Sequence, residues 1–182
     1  MNKIETDIKG CFILEPKIFK DDRGYFFESF NEAYFRELTN TNVHFVQDNQ
    51  SLSKFGVLRG LHAQRGEHAQ AKLVRVLSGK VLDVAVDIRQ GSPTFGMHVT
   101  ALLSAENQRQ FFVPRGFLHG FVVLSETAEF FYKCDNYYNQ ASEGGVRFDD
   151  QTLKIDWTLS EDQISVSEKD LVLPMFNDYL KL

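Results

Sequence analysis

The chain has 182 residues, the length of one domain with enough interior for a sizeable core. Hydrophobic residues at 43% and charged residues at 25% are ordinary soluble values, which excludes a disordered, collagen-like or disulfide-scaffold chain. Lys plus Arg at 20 against Asp plus Glu at 25 gives a formal net charge of −5, so nucleic acid and anionic membrane are excluded as partners and any anion site must be built locally.

Taken from the start, Met1 to Asp7 lacks the apolar stretch of a secretory signal, and no later run approaches the roughly 18–20 apolar residues of a membrane span. A cytoplasmic protein is expected. Asp21-Asp22-Arg23-Gly24 reads as a turn into an aromatic strand over Phe26 to Phe30, and Asn31 is placed to cap a helix running to Leu38 with one apolar stripe. Strands are predicted from Val43 to Gln50 and from Ala71 to Leu77, the latter turning at Gly79-Lys80 into Val81 to Ile88. In that last strand Leu82, Val84, Val86 and Ile88 form one apolar face, and Gly91-Ser92-Pro93 closes it with turn chemistry. Further strands are predicted at Val99 to Leu103, Gln110 to Val113, Gly120 to Leu124 and Glu129 to Lys133, and the C-terminal third has room for one or two short helices. With no repeat or linker, residues 1–182 read as a single all-β domain, an antiparallel jelly-roll β-sandwich with a few short helices. Cys11 and Cys134 match no metal or redox spacing and read as small buried hydrophobes.

Titratable groups in strand-like apolar surroundings carry the functional signal, because a buried charge is tolerated chiefly where something satisfies or uses it. Lys72, Asp83, His119 and Tyr132 are so placed, and Lys72 shares its parity with Val74 and Val76, which directs it inward. Arg59 and His62 punctuate the glycine-containing run Gly56 to Gln64. An arginine, an imidazole and a lysine grouped in this way suit an anionic substrate with a proton-transfer step. Pro114-x-Gly116-x-x-His119 resembles the second half of a cupin metal signature, yet His62-Ala63-Gln64 offers one imidazole where two are needed, so no metal is expected.

The segments Phe19 to Phe30, Gln47 to Ser51, Gly56 to His62, His68 to Val76, Asp83 to Arg89, Gly91 to Gly96, Pro114 to Phe121 and Ser167 to Asp170 together resemble the dTDP-4-dehydrorhamnose 3,5-epimerase family. The resemblance implies a metal-free, cofactor-independent, cupin-like jelly-roll homodimer acting on dTDP-4-keto-6-deoxyglucose. It implies His62 as base, Asp170 orienting that imidazole, Lys72 stabilising the C4 oxyanion and Tyr132 as the opposite-face acid. His119, supported by Asp83, would contact the sugar. Arg23, Glu28, Gln47, Asn49, Arg59, Glu143 and Lys169 would bind nucleotide, diphosphate or sugar, with Phe26 and Tyr138 against the base. The segment from Arg23 to Glu28 would reach the neighbouring subunit's site. A mono-epimerase acting at C3 or C5 alone and a non-catalytic sugar-nucleotide-binding jelly roll are the competing readings. Ala63 and Phe148 depart from the family's usual aromatic and Trp at their positions.

Overall fold

A computed structural model describes residues 1–181 and shows the apolar runs as strands of two antiparallel sheets laid face to face. The chain opens with β1 (Asn2–Glu5), β2 (Phe12–Glu15), the ribbon β3 (Phe19–Asp21) and β4 (Gly24–Phe26), and helix α1 (Glu32–Thr39). The body is β5 (Gln47–Lys54), β6 (Leu58–Gln64), β7 (Lys72–Ser78), β8 (Lys80–Asp87), β9 (His98–Ser104), β10 (Gln110–Val113), β11 (Phe117–Val123) and β12 (Thr127–Cys134). After it come β13 (Glu143–Gly145) and the short helices α2 (Glu168–Leu171) and α3 (Phe176–Tyr179). One sheet has the order β1-β2-β10-β7-β12-β5 and the other β13-β6-β11-β8-β9, the crossed connectivity of a jelly roll. Among the described residues, no helix is long and apolar enough to cross a membrane.

The phenylalanines fill two separate volumes. Phe111, Phe117, Phe121 and Phe130 join Val74, Val76, Val81 and Val123 between the sheets. Phe12, Phe35 and Phe112 form a second cluster beneath α1, with rings 4.7 to 6.3 Å apart, which secures the helix by its one deeply buried aromatic, Phe35. The helix starts as its sequence predicts, with the Asn31 side-chain oxygen accepting the Tyr34 N–H at 3.1 Å.

Two sequence expectations are corrected by packing. The strand predicted over Phe26 to Phe30 ends at Phe26, because β4 pairs only with β3 and Phe30 is drawn under α1 against Phe35 and Phe45. Similarly, the strand predicted from Val43 begins at Gln47, since Val43 and Phe45 join the same aromatic cluster. The apolar face predicted on β8 is present, and the structure turns it outward: Leu82, Val84 and Val86 meet Leu153, Trp157, Phe176 and Tyr179 on the outside of their sheet. The C-terminal third is thus a third layer, and β8 is buried on both faces. Alternation then puts Val81, Asp83 and Ala85 inward.

β6 and β11 approach each other closely at Gly60 and Gly120, where a Cβ on Gly120 would lie 2.8 Å from the Arg59 carbonyl oxygen. The register shifts beside this contact, between His119 and Phe121, and sets His119 directly opposite His62. Gly120→Ala should therefore cost about 1–3 kcal/mol in urea unfolding through overpacking of this pair; an unchanged midpoint would contradict the close approach.

Candidate active site

The strand register delivers the polar side chains to one place. Across the six-stranded sheet, Lys72 lies opposite Cys134, which lies opposite Gln47, and the next inward row is Val74, Tyr132 and Asn49. Across the other sheet, His62 and His119 are direct partners and Arg59 faces Phe121. The result is a cavity of about 600 Å³ between the sheets, lined by Asn49, Arg59, His62, Lys72, His119, Tyr132, Lys169 and Asp170, with Val57, Leu58, Phe121, Phe130 and Val166 as apolar wall. Phe121 and Phe130 stack at 4.0 Å between ring centroids, and His119 lies over Phe130 at 6.2 Å. Phe130, backed by Phe121, gives one face of the imidazole a fixed surface.

Asp170 reaches His62 from the third layer. Val57 forms a parallel bridge with Ser165, and Gly56 permits it, since a Cβ there would lie 2.0 Å from the Gln163 carbonyl oxygen. Two residues further, Ser167 caps α2 by accepting the Asp170 N–H, and the Asp170 carboxylate sits 2.7 Å from His62 Nε2. A carboxylate can only accept here, so Nε2 carries a proton, and the neutral form of the imidazole has its lone pair on Nδ1. Burial works against the Asp170 charge, but the His62 hydrogen bond, together with Gly60 N–H and Ser167, holds its carboxyl below the usual value. His119 makes a second, deeper pair, with Nε2 at 2.9 and 3.1 Å from the two oxygens of Asp83. Burial pushes the Asp83 carboxyl up, against the pull of His119 and Lys72.

Lys72 and Tyr132 are shaped by desolvation. Burial lowers the Lys72 pKa, opposed by Cys134, Asp83 and Glu143. Its ammonium lies 5.7 Å from the centre of the Tyr132 ring. Burial pushes the Tyr132 phenol up to about 12, so it stays protonated across the neutral range. The nearby carboxylates are committed: Asp170 to His62, Asp83 to His119 and Glu143 to Lys169. Among the described residues, neither Lys72 nor Arg59 has a carboxylate within ion-pair distance, which leaves two cations for a ligand's negative charge.

At the rim, Lys169 Nζ and the Tyr138 hydroxyl both donate to one oxygen of Glu143, at 2.7 and 2.8 Å. Lys169 first, then Tyr138 and His62, offset burial and keep the Glu143 carboxyl low. Tyr138 N–H donates to Gln47, and Gln47 donates to Asn49, so the rim is tied to the cavity wall. Arg23, Phe26 and Glu28 are the predicted residues that lie elsewhere: Arg23 pairs with Asp21, Phe26 is 71% exposed, and Glu28 accepts from Asn31. Their own chain's cavity does not include them.

Sequence reasoning overlooked Ser51, Ser165 and Ser167 at the cavity and Ser53 behind it. Gln47, Asn49, Ser51 and Ser53 form the inward row of β5, but Leu52 is the one apolar residue of that strand, so alternation in its sequence does not mark them. Cys11 and Cys134 are both buried and free, and burial pushes the Cys134 thiol up to about 11. Among the described residues, no three His, Cys, Asp or Glu side chains gather as a metal-holding group.

Known proteins are similar to this chain along nearly its whole length. A family model described as dTDP-4-dehydrorhamnose 3,5-epimerase matches residues 5–178. A dTDP-4-dehydrorhamnose 3,5-epimerase from Salmonella typhimurium is 55% identical over 177 residues, covering 97% of this chain and 96% of that protein. The crystal structure of a dTDP-4-dehydrorhamnose 3,5-epimerase from Elizabethkingia anophelis superposes with a TM-score of 0.94 at 60% identity, covering 98% of this chain and 97% of the other. That of a dTDP-6-deoxy-D-glucose-3,5-epimerase from Legionella pneumophila, in complex with dTDP-4-keto-L-rhamnose, gives 0.93 at 52% identity, covering 97% and 93%.

The lowered Asp170 pKa fixes the sign of an acid effect: its contribution to stability is present above the ordinary carboxylate value and lost as pH falls through the folded one. Asp170→Asn should cost about 1–3 kcal/mol near pH 6, narrowing toward pH 2 in denaturant titrations. A gap that stays constant with pH would show that the carboxylate charge contributes nothing.

Proposed function

Because the chain belongs to the dTDP-4-dehydrorhamnose 3,5-epimerase family, we propose that its cavity converts dTDP-4-dehydro-6-deoxy-D-glucose to dTDP-4-dehydro-L-rhamnose, in the making of dTDP-L-rhamnose. The protein is an isomerase of nucleotide sugars. The observation that carries the reading is the convergence of the His62–Asp170 pair, Lys72 and Tyr132 on one cavity, with His62 on one sheet and Tyr132 on the other.

The substrate's hydrogens at C3 and C5 are both α to the C4 ketone, so loss of either gives an enolate with its charge on one oxygen. His62 takes the proton through Nδ1, and Asp170 stabilises the imidazolium that results. Lys72 receives the developing oxyanion in a site where burial strengthens the interaction. Tyr132 then delivers a different proton to the same carbon from the opposite face, inverting it, and both groups re-equilibrate with solvent before the second carbon reacts. The substrate and product differ only in configuration, so the proton ledger closes without a cofactor or a metal. His119, braced by Asp83, bonds the sugar. Arg59 and Lys169 hold the diphosphate; Gln47, Asn49 and Glu143 complete the nucleotide-sugar contacts, and Tyr138 lies against the base.

Arg23, Phe26 and Glu28 fit this scheme in a homodimer that exchanges its N-terminal ribbons. Exposure of Phe19, Tyr25 and Phe26 at 55%, 60% and 71% supports a partner surface there. Residues 1–182 act as one catalytic domain, working in the cytoplasm.

Incubation with dTDP-4-keto-6-deoxy-D-glucose in D2O should place deuterium at both C3 and C5. Label at one carbon would identify a mono-epimerase, and label at neither would identify a binding protein. His62→Ala should lower turnover by about 10²–10⁴-fold while dTDP binding persists; near-normal turnover would reject His62 as the base. Sedimentation should find a dimer, and Arg23→Ala should raise KM with little change in kcat. A fully active monomer would overturn ribbon exchange.

A further inference from the structure

β5 turns Gln47, Asn49, Ser51 and Ser53 toward the interior, and the last of them is set back from the cavity. Ser53 is 5% exposed and its backbone is paired with Ala128 of β12, so its main chain is held in place. That hydroxyl accepts the Arg59 Nε–H at 3.1 Å. The bond crosses from one sheet to the other, since Ser53 lies in β5 and Arg59 in β6. Arg59 itself stands at the open cavity, where an arginine without a carboxylate partner samples many rotamers.

Nε is the donor nearest the stem of the guanidinium, and the group is planar. Fixing Nε therefore fixes the plane and leaves the two terminal nitrogens, with their four N–H donors, free for an oxyanion. We propose that Ser53 is a positioning residue for diphosphate binding: it holds the Arg59 fork oriented in the empty protein, so the ligand does not have to immobilise that side chain on arrival. The inference rests on the nucleotide-sugar reading and deepens it, giving a role to a buried serine that touches neither nucleotide nor sugar. Pre-orientation of one long side chain is worth roughly a 3- to 10-fold gain in affinity.

The test is calorimetric titration of wild type and Ser53→Ala with dTDP and with thymidine, alongside steady-state kinetics. Ser53→Ala should weaken dTDP about 3- to 10-fold, leave thymidine unchanged, and raise KM while kcat stays within about twofold. In an Arg59→Lys background, which lacks Nε, adding Ser53→Ala should change dTDP affinity no further. Unchanged dTDP affinity in Ser53→Ala overturns the inference. Equal weakening of dTDP and thymidine, or a full extra loss on top of Arg59→Lys, also overturns it, because the serine would then act on the fold at large. Wild-type protein that binds no dTDP at all would instead overturn the nucleotide-sugar reading beneath it.

Discussion

A charged side chain carried between two packed sheets loses its water, and the cavity residues divide by how that loss is met. The carboxylates are answered from within the protein: Asp170 by His62, Asp83 by His119, Glu143 by Lys169 and Tyr138. Lys72 is not, and burial pulls its pKa down. Among the described residues, Arg59 has only the Ser53 hydroxyl. A site whose anions are internally matched and whose cations are left over is electrostatically complementary to a ligand that is itself negative, or becomes so during reaction. An enolate on a diphosphate-linked sugar is both.

The sandwich supplies the geometry that this charge pattern needs. Inversion at carbon requires a proton to leave from one face and return to the other, and a cavity between two sheets can offer a different sheet to each face of a ligand. His62 belongs to the five-stranded sheet and Tyr132 to the six-stranded one, so the proposed base and acid are separated by the architecture rather than by a mobile loop. Each is fixed in register by backbone pairing, His62 against His119 and Tyr132 against Val74 and Asn49. Rigid strands keep catalytic groups within tight tolerances.

The third layer connects the end of the chain to the chemistry. Leu153, Trp157, Phe176 and Tyr179 cover the outer face of β8, and the segment between them docks at Gly56 before delivering Asp170. Packing energy far from the cavity thus sets the position of the carboxylate that pairs with His62. The same economy explains the abundance of phenylalanine: one group of rings fills the sandwich and walls the cavity, and another anchors α1.

The amino-acid sequence alone was enough for the all-β architecture, the capped helix at Asn31, and the inward aim of Lys72, because these follow from alternation and capping, which are local rules. It also singled out Lys72, Asp83, His119 and Tyr132 as titratable residues in apolar strands, with Arg59 and His62 in the glycine-containing run; all but Asp83 line one cavity, and Asp83 bonds His119. What it left open were choices that depend on distant partners. Which face of β8 looks inward was decided by the C-terminal layer, and the ends of the strands at Phe26 and Gln47 were decided by the aromatic cluster under α1. The Ser53 bond to Arg59 and the reach of Asp170 to His62 join residues on different layers. Spacing along the chain cannot encode such contacts, because the distance between layers is set by how side chains from the whole molecule fill the space between them.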